Sequence, residues 1–157
     1  MKKAIILRGP SGVGKTWIAR KISKKHNYKH CDTDSFKLIF SKTRTLTRSK
    51  IAGKITYSYA KELIREGYNV IIEALPEKYI DKLIPLMKKR KYKIIEISLT
   101  APLKVCIKND LKRTDRKFGK KVIEEVYSKY NVNKGFCLDV SKLTNKQISK
   151  KIEKVLK

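Results

Sequence analysis

The stretch AIILRGPSGVGKT, residues 4–16, decides the fold of this 157-residue chain. Its first four residues are apolar and are typical of a short buried strand. The eight that follow match the pattern GxxxxGK[ST] at every fixed position, and a helical pattern comes next. In that context the glycines let the backbone curl, so that N–H groups point at phosphate oxygens, and the helix N-terminus favours an anion. The sequence therefore predicts a nucleotide-phosphate site formed by Gly9, Pro10, Ser11, Gly12, Val13, Gly14, Lys15 and Thr16.

Two side chains of this loop predict the cofactors. The ammonium of Lys15 reaches the β- and γ-phosphates in such loops, and the hydroxyl of Thr16 ligates Mg²⁺. We therefore expect ATP and Mg²⁺ as cofactors. ATPases, GTPases and kinases share the loop, but the chain has no NKxD motif after a strand and no apolar run that ends in Asp-Glu. These absences favour a small kinase.

Apolar runs alternate with helical patterns along the whole chain. This alternation predicts a five-stranded parallel sheet with helices on both faces, the three-layer α/β fold of P-loop NTPases, in a single domain over 1–157. The charged segment 114–120 and the polar segment 41–50 each predict a loop. The predicted strands are 4–7, 28–31, 70–72, 94–99 and 136–140, and the predicted helices are 17–25, 35–40, 51–66, 77–89, 102–112, 122–130 and 145–156.

Acidic residues follow two of the predicted strands, where open α/β sheets bind their ligands. Asp32 and Asp34 follow the second strand, and Glu73 ends the third. A carboxylate there can orient an acceptor hydroxyl and take its proton. Asp34 is the candidate for that role or for capping the next helix, and Asp32 is a candidate for Mg²⁺ or for an Asx-turn. Glu73 is a candidate for Mg²⁺ or a strand-end acid without a ligand. His26 and His30 are given no role.

The chain is strongly basic, with 40 Lys+Arg against 14 Asp+Glu and a formal net charge of +26. This charge favours an anionic partner, nucleic acid first, although lysine-rich solvated faces produced by codon bias would give the same number. Three separated cysteines without a CxxC pair argue against a disulfide framework. No apolar stretch reaches the length of a secretory or transmembrane segment, so we expect a cytoplasmic protein with no membrane partner. The sequence does not indicate the oligomeric state.

Four motifs in this order resemble the group of P-loop kinases that holds the polynucleotide 5′-hydroxyl kinases: GPSGVGKT, CDTDSFK, VIIEA and APLKVCIKNDLKR. Zeta-toxin-like, gluconate, adenylylsulfate and chloramphenicol kinases are relatives in that group. The resemblance spans essentially the whole chain and implies ATP-dependent transfer of a phosphoryl group to a hydroxyl. The basic composition favours the 5′-OH of RNA or DNA as acceptor. A small-molecule or nucleotide acceptor, or a toxin-like regulatory ATP-binding protein, stays an alternative.

The resemblance also implies roles for single residues. In the polynucleotide kinases an Asp after the second strand activates the hydroxyl, and a basic residue, usually Arg, lies three positions later. Asp34 and Lys37 match these positions. In this group of kinases a lid follows the fourth strand, which implies a small lid at about 113–121 in this chain. The lid arginines that close over the ATP phosphates correspond to Arg113 and Arg116. The chain departs from its relatives at Lys108-Asn109, where they often carry an Arg.

The segment between the second and third predicted helical regions corresponds to the part of small kinases that holds the acceptor. Arg44 and Arg48 lie there and are candidates for binding acceptor phosphates or for a solvated loop. The aromatic side chains that follow CDTD in this region are candidates for stacking on a base or for packing between helices. They are Phe36, Tyr57 and Tyr59.

Overall fold

The computed structural model describes residues 1–114, 117–131 and 133–157, and these contain five strands and seven helices. The strands form one sheet in the order β2-β3-β1-β4-β5, and the pairs β2–β3 and β4–β5 are parallel. The predicted α/β fold with a five-stranded parallel sheet is confirmed. The strands are β1 (Lys3–Arg8), β2 (Lys29–Asp32), β3 (Val70–Glu73), β4 (Lys93–Thr100) and β5 (Phe136–Asp139), and the helices are α1 (Lys15–His26), α2 (Thr33–Phe40), α3 (Leu46–Arg65), α4 (Glu77–Lys89), α5 (Leu103–Leu111), α6 (Lys120–Lys129) and α7 (Asn145–Leu156).

The chain forms two compact units. The first unit comprises residues 1–6 and 19–94, and the second comprises residues 7–18 and 95–157. Strand β1 contributes residues to both units. The assignment of 1–157 to one domain stays a prediction.

Helices α3 and α4 bury the apolar face of the first unit's strands. On α3, residues four apart in sequence lie on one side of the helix, and Ala52, Thr56, Ala60 and Ile64 at that spacing are fully buried. A Cβ on Gly53 would lie 3.1 Å from the Tyr79 ring, so α3 and α4 approach closely at this position. The absence of a side chain there lets the two helices share one core with the strands.

In the second unit, β4 and α7 each bury three apolar side chains. Ile97 and Leu99 on β4 are fully buried, and α7 buries Ile148, Ile152 and Leu156 at helical spacing. A capping box of Thr144 and Gln147 fixes the start of α7, because each side chain satisfies a backbone N–H that the helix leaves without a partner. The bounds predicted for this helix, 145–156, are confirmed.

The loop predicted over 41–50 is wrong in its second half, because α3 already begins at Leu46. The Thr45 hydroxyl accepts the backbone N–H of Arg48 at 3.0 Å and so caps the helix. The basic and polar composition of this segment masks the helical start, whereas a threonine at the N-cap is the local signal that marks it. Helix α6 likewise begins at Lys120, inside the segment predicted as the lid.

In the three described ranges, the structure contains no helix that combines the length and the apolar character needed to cross a membrane.

We expect only Cys137 to react quickly with a thiol reagent in the folded protein. Cys137 is exposed, whereas Cys31 and Cys106 are buried. Burial raises the pKa of the Cys31 thiol to about 12 and also raises the pKa of Cys106, where nearby Lys15 partly opposes the shift. A raised pKa leaves less of the reactive thiolate at a given pH. Titration with a chromogenic disulfide reagent, with and without denaturant, measures the accessible thiols, and Cys137→Ser should remove the fast phase. Fast reaction of a second thiol in the folded protein would contradict this burial.

Candidate active site

The phosphate-loop segment, residues 9–16, follows β1 and ends in the first turn of α1, as the sequence predicts. All three of its glycines have backbone conformations that side chains disfavour, with φ of +146° at Gly9, +83° at Gly12 and +104° at Gly14. A Cβ on Gly12 would lie 2.3 Å from the carbonyl oxygen of Cys106. Among the described residues other than its chain neighbours, none has an atom within 4 Å of the Cβ position at Gly14. Gly12 therefore allows close packing, and Gly14 borders open space that suits a phosphate.

The side chain of Lys15 folds over the phosphate-loop segment. Its Nζ donates to the carbonyl oxygens of Gly9 and Pro10, at 2.7 and 2.9 Å. The first-turn N–H groups of an α-helix have no acceptor inside the helix, and they carry partial positive charge. The ammonium and the N-terminus of α1 therefore give this segment the charge that a nucleotide phosphate requires. The predicted cofactor role of residues 9–16 fits this arrangement.

Helix α5 supports the phosphate-loop segment. The side-chain amide of Asn109 donates to the carbonyl oxygen of Gly12 at 2.9 Å, and Gly12 packs against the backbone of Cys106. The sequence analysis noted Asn109 only as a departure from related kinases. The structure gives it a position that fixes the loop backbone from a neighbouring helix.

A buried carboxylate lies beside the segment predicted as the lid, and we call Asp110 with Arg113, Phe118 and Gly119 the lid base. Asp110, which is 1% exposed, accepts the backbone N–H of Phe118 at 3.1 Å and that of Gly119 at 2.9 Å. It thereby joins the end of α5 to the start of α6, where Gly119 is the N-cap and provides no side chain. The sequence analysis did not identify Asp110. The signal for it was an acid in a strongly basic segment.

Arg113 lies at this lid base. Its Nη1 is 3.8 Å from Oδ1 of Asp110, and its guanidinium lies 5.4 Å from the centroid of the Phe118 ring. The predicted lid residue Arg116 falls outside the described residues. The roles of both arginines at the transferred phosphate stay predictions.

The turn from β2 into α2 is held by Asp32. Its Oδ1 accepts the backbone N–H of Asp34 at 3.0 Å, and its Oδ2 accepts the Ser35 hydroxyl at 2.5 Å. Asp32 is thus the N-cap of α2, and Asp34, which the sequence analysis considered for capping, lies in the first turn. This corrects the start of the predicted helix 35–40, which begins two residues earlier at Thr33.

The carboxylate of Asp34 is paired with a cation instead. Its Oδ1 lies 2.8 Å from Nζ of Lys37, and the two side chains are 24% and 25% exposed. The spacing of three residues brings them to the same side of α2. Asp34, which was predicted to activate the hydroxyl, and Lys37, the basic residue three positions later, are therefore in contact. Both side chains are partly exposed to solvent.

Three ionisable side chains meet at the ends of β2 and β3. Asp32 is the register partner of Glu73, and ligand atoms of His30, Asp32 and Glu73 all lie within 4.8 Å of one another. Nε2 of His30 is 3.5 Å from Oε2 of Glu73, which is 1% exposed. His30, which was given no role, is two residues before Asp32, and residues at that spacing on a strand share one face. The two-residue alternation of a strand was therefore the sequence signal that places His30 on the same face as Asp32.

This cluster fits a divalent cation. Carboxylate oxygens are the ligands that Mg²⁺ prefers, and an imidazole nitrogen also suits transition metals. Asp32 and Glu73 were predicted as magnesium ligands together with Thr16, which lies in the first turn of α1. The carboxylate oxygens of Asp32 and Glu73 fit the ion, and the metal role of all three residues stays a prediction.

The predicted acceptor-binding residues differ in their exposure and in their partners. Lys37 pairs with Asp34, and Arg44 is exposed in the link between α2 and α3. Arg48 is 7% exposed, and its Nη1 donates to the carbonyl oxygens of Ser41 and Lys42, each at 3.0 Å. The burial of Arg48 argues against the solvated-loop alternative for this residue, because its guanidinium holds the link in place. The acceptor-binding role of Lys37, Arg44 and Arg48 stays a prediction.

Gly12 and Gly14 make a matched pair for testing how α5 packs against the phosphate-loop segment. Gly12→Ala should lower the free energy of unfolding more than Gly14→Ala. Both changes place a side chain at positive φ, at a cost of about 1–2 kcal/mol, but only the first also forces a Cβ against a backbone carbonyl, which adds roughly 1–3 kcal/mol. Urea denaturation of both variants measures the difference. Equal losses would show that α5 does not press on Gly12.

Replacing Asp110 should loosen the lid base. Asp110→Ala leaves the amides of Phe118 and Gly119 without this acceptor, at a cost of about 0.5–1.5 kcal/mol for each lost hydrogen bond. We expect faster hydrogen exchange at these two amides and a lower free energy of unfolding. Asp139→Ala is the matched control, because that exposed carboxylate also accepts a backbone N–H, from Ser141 at 2.8 Å. Unchanged exchange at Phe118 and Gly119 would refute the anchor.

Known structures share this fold. A sugar kinase from Janibacter sp. HTCC2649 matches with a TM-score of 0.72 and 18% identity over 99% of this chain and 95% of that chain. The Mycobacterium tuberculosis APS kinase CysC, in complex with AMPPNP and APS, gives 0.68 and 18% over 99% and 97%. A chain of the Pnkp1/Rnl/Hen1 RNA repair complex gives 0.66 and 21% over 81% and 43%. At these low sequence identities, the structural matches show a common fold.

Sequence comparison adds the family. No curated protein matches the chain significantly. The family model described as AAA domain (AAA_33) matches residues 5–132, which is most of the chain and includes the phosphate-loop segment, β2, β3 and the lid base. The chain therefore belongs to the AAA domain family AAA_33, a family of P-loop kinases.

Proposed function

We propose that this protein is an ATP- and Mg²⁺-dependent kinase that transfers the γ-phosphoryl group of ATP to the 5′-hydroxyl of RNA or DNA. The observation that carries the proposal is the Asp34–Lys37 pair. Asp32 performs the capping of α2, so the carboxylate of Asp34 is not used for that purpose. A chain that only bound ATP would need no such pair after β2.

Residues 9–16 bind the phosphates of ATP in this proposal. Backbone N–H groups of the segment and the N-terminus of α1 hold the phosphate oxygens, and Lys15 turns its ammonium to the β- and γ-phosphates. Thr16, Asp32 and Glu73 would hold Mg²⁺ directly or through water. When bound, the ion neutralises charge on the β- and γ-oxygens.

Asp34 acts on the acceptor. The hydroxyl oxygen forms a bond to the γ-phosphorus, the bond from that phosphorus to the β–γ bridging oxygen breaks, and ADP leaves. The proton of the hydroxyl passes to the carboxylate of Asp34. Lys37 holds Oδ1 of that carboxylate, which orients Oδ2 as the proton acceptor.

Cations of the lid base complete the chemistry. The transferred group carries its charge on three equatorial oxygens, and fixed cations lower the barrier when they meet that charge. Arg113 and Arg116 supply them in this proposal. Asp110 and Phe118 determine where Arg113 lies, so the lid base positions a cation as well as joining two helices.

The net charge of +26 supports a polymeric acceptor. A nucleic acid presents a phosphate at each nucleotide, and lysine contacts to these phosphates release counterions. Affinity for such an acceptor should therefore fall steeply with salt. The shared fold with a chain of an RNA repair complex is consistent with this acceptor class.

A small hydroxyl compound is the second candidate acceptor. The sugar kinase and the APS kinase match this chain over nearly their whole lengths, whereas the RNA repair chain is covered to 43%. A small acceptor would bind with little dependence on salt, since it makes few phosphate contacts. Salt dependence of KM for the acceptor therefore separates the two classes.

Asp34→Asn should lower kcat by about 10²–10⁴-fold, the range typical of lost general-base help, and leave binding of an ATP analogue unchanged. The amide keeps the shape of the side chain but does not accept the proton in the same way. Transfer of radiolabelled phosphate from ATP measures the rate. Asp139→Asn, at an exposed aspartate of the second unit, is the control and should retain activity. Near-normal transfer by Asp34→Asn would remove Asp34 from this role.

The acceptor class is tested with a panel of 5′-OH RNA, 5′-OH DNA, nucleoside monophosphates and sugars. We expect label on the oligonucleotides, with a KM that rises steeply with salt. Lys15→Ala should abolish transfer to each of them. Label on a sugar or nucleotide alone would refute the polynucleotide acceptor and leave the kinase reaction standing. Label on none of the compounds would refute both proposed acceptor classes.

A further inference from the structure

An apolar surface is exposed on the helical pair α2–α3 of the first unit. It consists of Phe36 and Phe40 on α2 and of Ile55 and Tyr59 on α3, and we call it the aromatic patch. Phe40, Ile55 and Tyr59 are 50%, 42% and 41% exposed. Phe36 meets Tyr59 edge to face, with ring centroids 6.0 Å apart. Residues four apart lie on one side of a helix, so each helix contributes a pair, and the Phe36–Tyr59 contact joins the two pairs.

The structure separates Tyr59 from the neighbouring Tyr57. Tyr57 stacks on Tyr79, with ring centroids 5.4 Å apart, and so packs α3 against α4. Tyr59 instead lines an open groove of about 450 Å³ together with Lys54, Ile55, Ser58 and Glu62. From the sequence, both tyrosines were candidates for stacking on a base or for packing between helices. Tyr59 presents its ring to this groove, whereas Tyr57 stacks on Tyr79.

A cation lines the groove. It is the exposed Lys54, five residues before Tyr59 on α3. Glu62 is the one acid among the groove residues. An aromatic ring in the same groove as a lysine matches the two parts of a nucleotide, since a base stacks on the ring and a phosphate meets the cation.

We propose that the aromatic patch binds single-stranded nucleic acid, with a base stacked on Tyr59 and a backbone phosphate contacted by Lys54. The proposal rests on the proposed function, because it assigns the patch to the nucleotides that follow the 5′-terminal acceptor. Such stacking tolerates any base, since each base has a π-face. The groove therefore contributes affinity for the strand without reading its sequence.

Charge disfavours a second copy of the chain as the occupant. Two copies would each carry a formal charge of +26 and would repel each other as their lysine-lined patches approached. With a nucleic acid strand the electrostatic interaction is attractive instead, because its phosphates are attracted to the same lysines. An anionic lipid surface has similar charge, and the experiment below distinguishes it from nucleic acid.

Direct binding tests the patch without requiring catalysis. A single-stranded oligonucleotide with a 5′-phosphate and a 3′-fluorophore cannot accept a phosphoryl group, and its anisotropy reports binding to the full chain. Tyr59→Ala should raise Kd by about 5–150-fold, which corresponds to roughly 1–3 kcal/mol per stacked base. Tyr59→Phe keeps a ring and should retain the affinity.

Tyr68→Ala is the matched control. Tyr68 is 46% exposed in the same unit and has the ammonium of Lys29 5.4 Å from its ring centroid, but it lies outside the groove. Its replacement should leave Kd unchanged. If Tyr59→Ala fails to fold by circular dichroism, Lys54→Gln replaces it. That variant should weaken binding and reduce the slope of log K against log salt by about one.

Two outcomes would overturn the patch as a strand-binding surface. One is equal affinity of the wild type and Tyr59→Ala for the oligonucleotide. The other is a Tyr59-dependent affinity for phosphatidylserine vesicles with no Tyr59-dependence for the oligonucleotide, which would identify a lipid surface as the occupant. Double-stranded DNA should bind with little dependence on Tyr59, because its bases are already stacked.

The outcomes for the patch and for the proposed function can be told apart. Tyr59-dependent binding without phosphorylation of any 5′-OH oligonucleotide would refute the proposed function and leave the patch standing. Phosphorylation of a 5′-OH oligonucleotide with an unchanged KM in Tyr59→Ala would refute the patch and leave the function standing. The patch and the function together predict a raised KM for the oligonucleotide and an unchanged KM for ATP.

Discussion

The two hydrogen bonds accepted by Asp32 determine the geometry of the acceptor side of this protein. They cap α2 and set its start at Thr33. Once that start is set, the helical repeat brings Asp34 and Lys37 to one side. It also turns Phe36 and Phe40 toward the face that meets α3. A helix that began elsewhere would rotate every one of these side chains, by about 100° for each residue of shift.

Buried acids have similar structural roles elsewhere in a chain that has few of them. Asp110 joins α5 to α6 through two backbone amides, and Glu73 lies at the end of β3 beside His30. A buried carboxylate is unfavourable unless hydrogen bonds or cations satisfy it. With 40 basic residues against 14 acidic ones, each buried acid is in a position where its charge organises a local turn or cluster. These positions coincide with the regions proposed for metal, lid and acceptor.

Much of the fold was predictable because its signals are local. The phosphate-loop segment combines glycines and a lysine at fixed spacing, and the apolar runs of the strands are bounded by turns. The capped helix α7 was predicted to the residue. The start of α3 was missed because a basic, polar composition outweighed a single capping threonine. The sequence left Arg48 between acceptor binding and a solvated loop, since burial of a guanidinium depends on carbonyl groups supplied by Ser41 and Lys42.

The sequence by itself determined the phosphate-loop segment, the alternation of strands and helices, and the choice of Asp34 and Lys37. These depend on residue type and on spacing along the chain. Only the tertiary structure decided which acid caps α2, that His30 faces Glu73, that Asn109 and Asp110 fix the loop and the lid base, and that Tyr59 is exposed whereas Tyr57 is packed. Each of these depends on which distant residue lies opposite a side chain. Register and helix packing set that partner, and local propensity does not encode it.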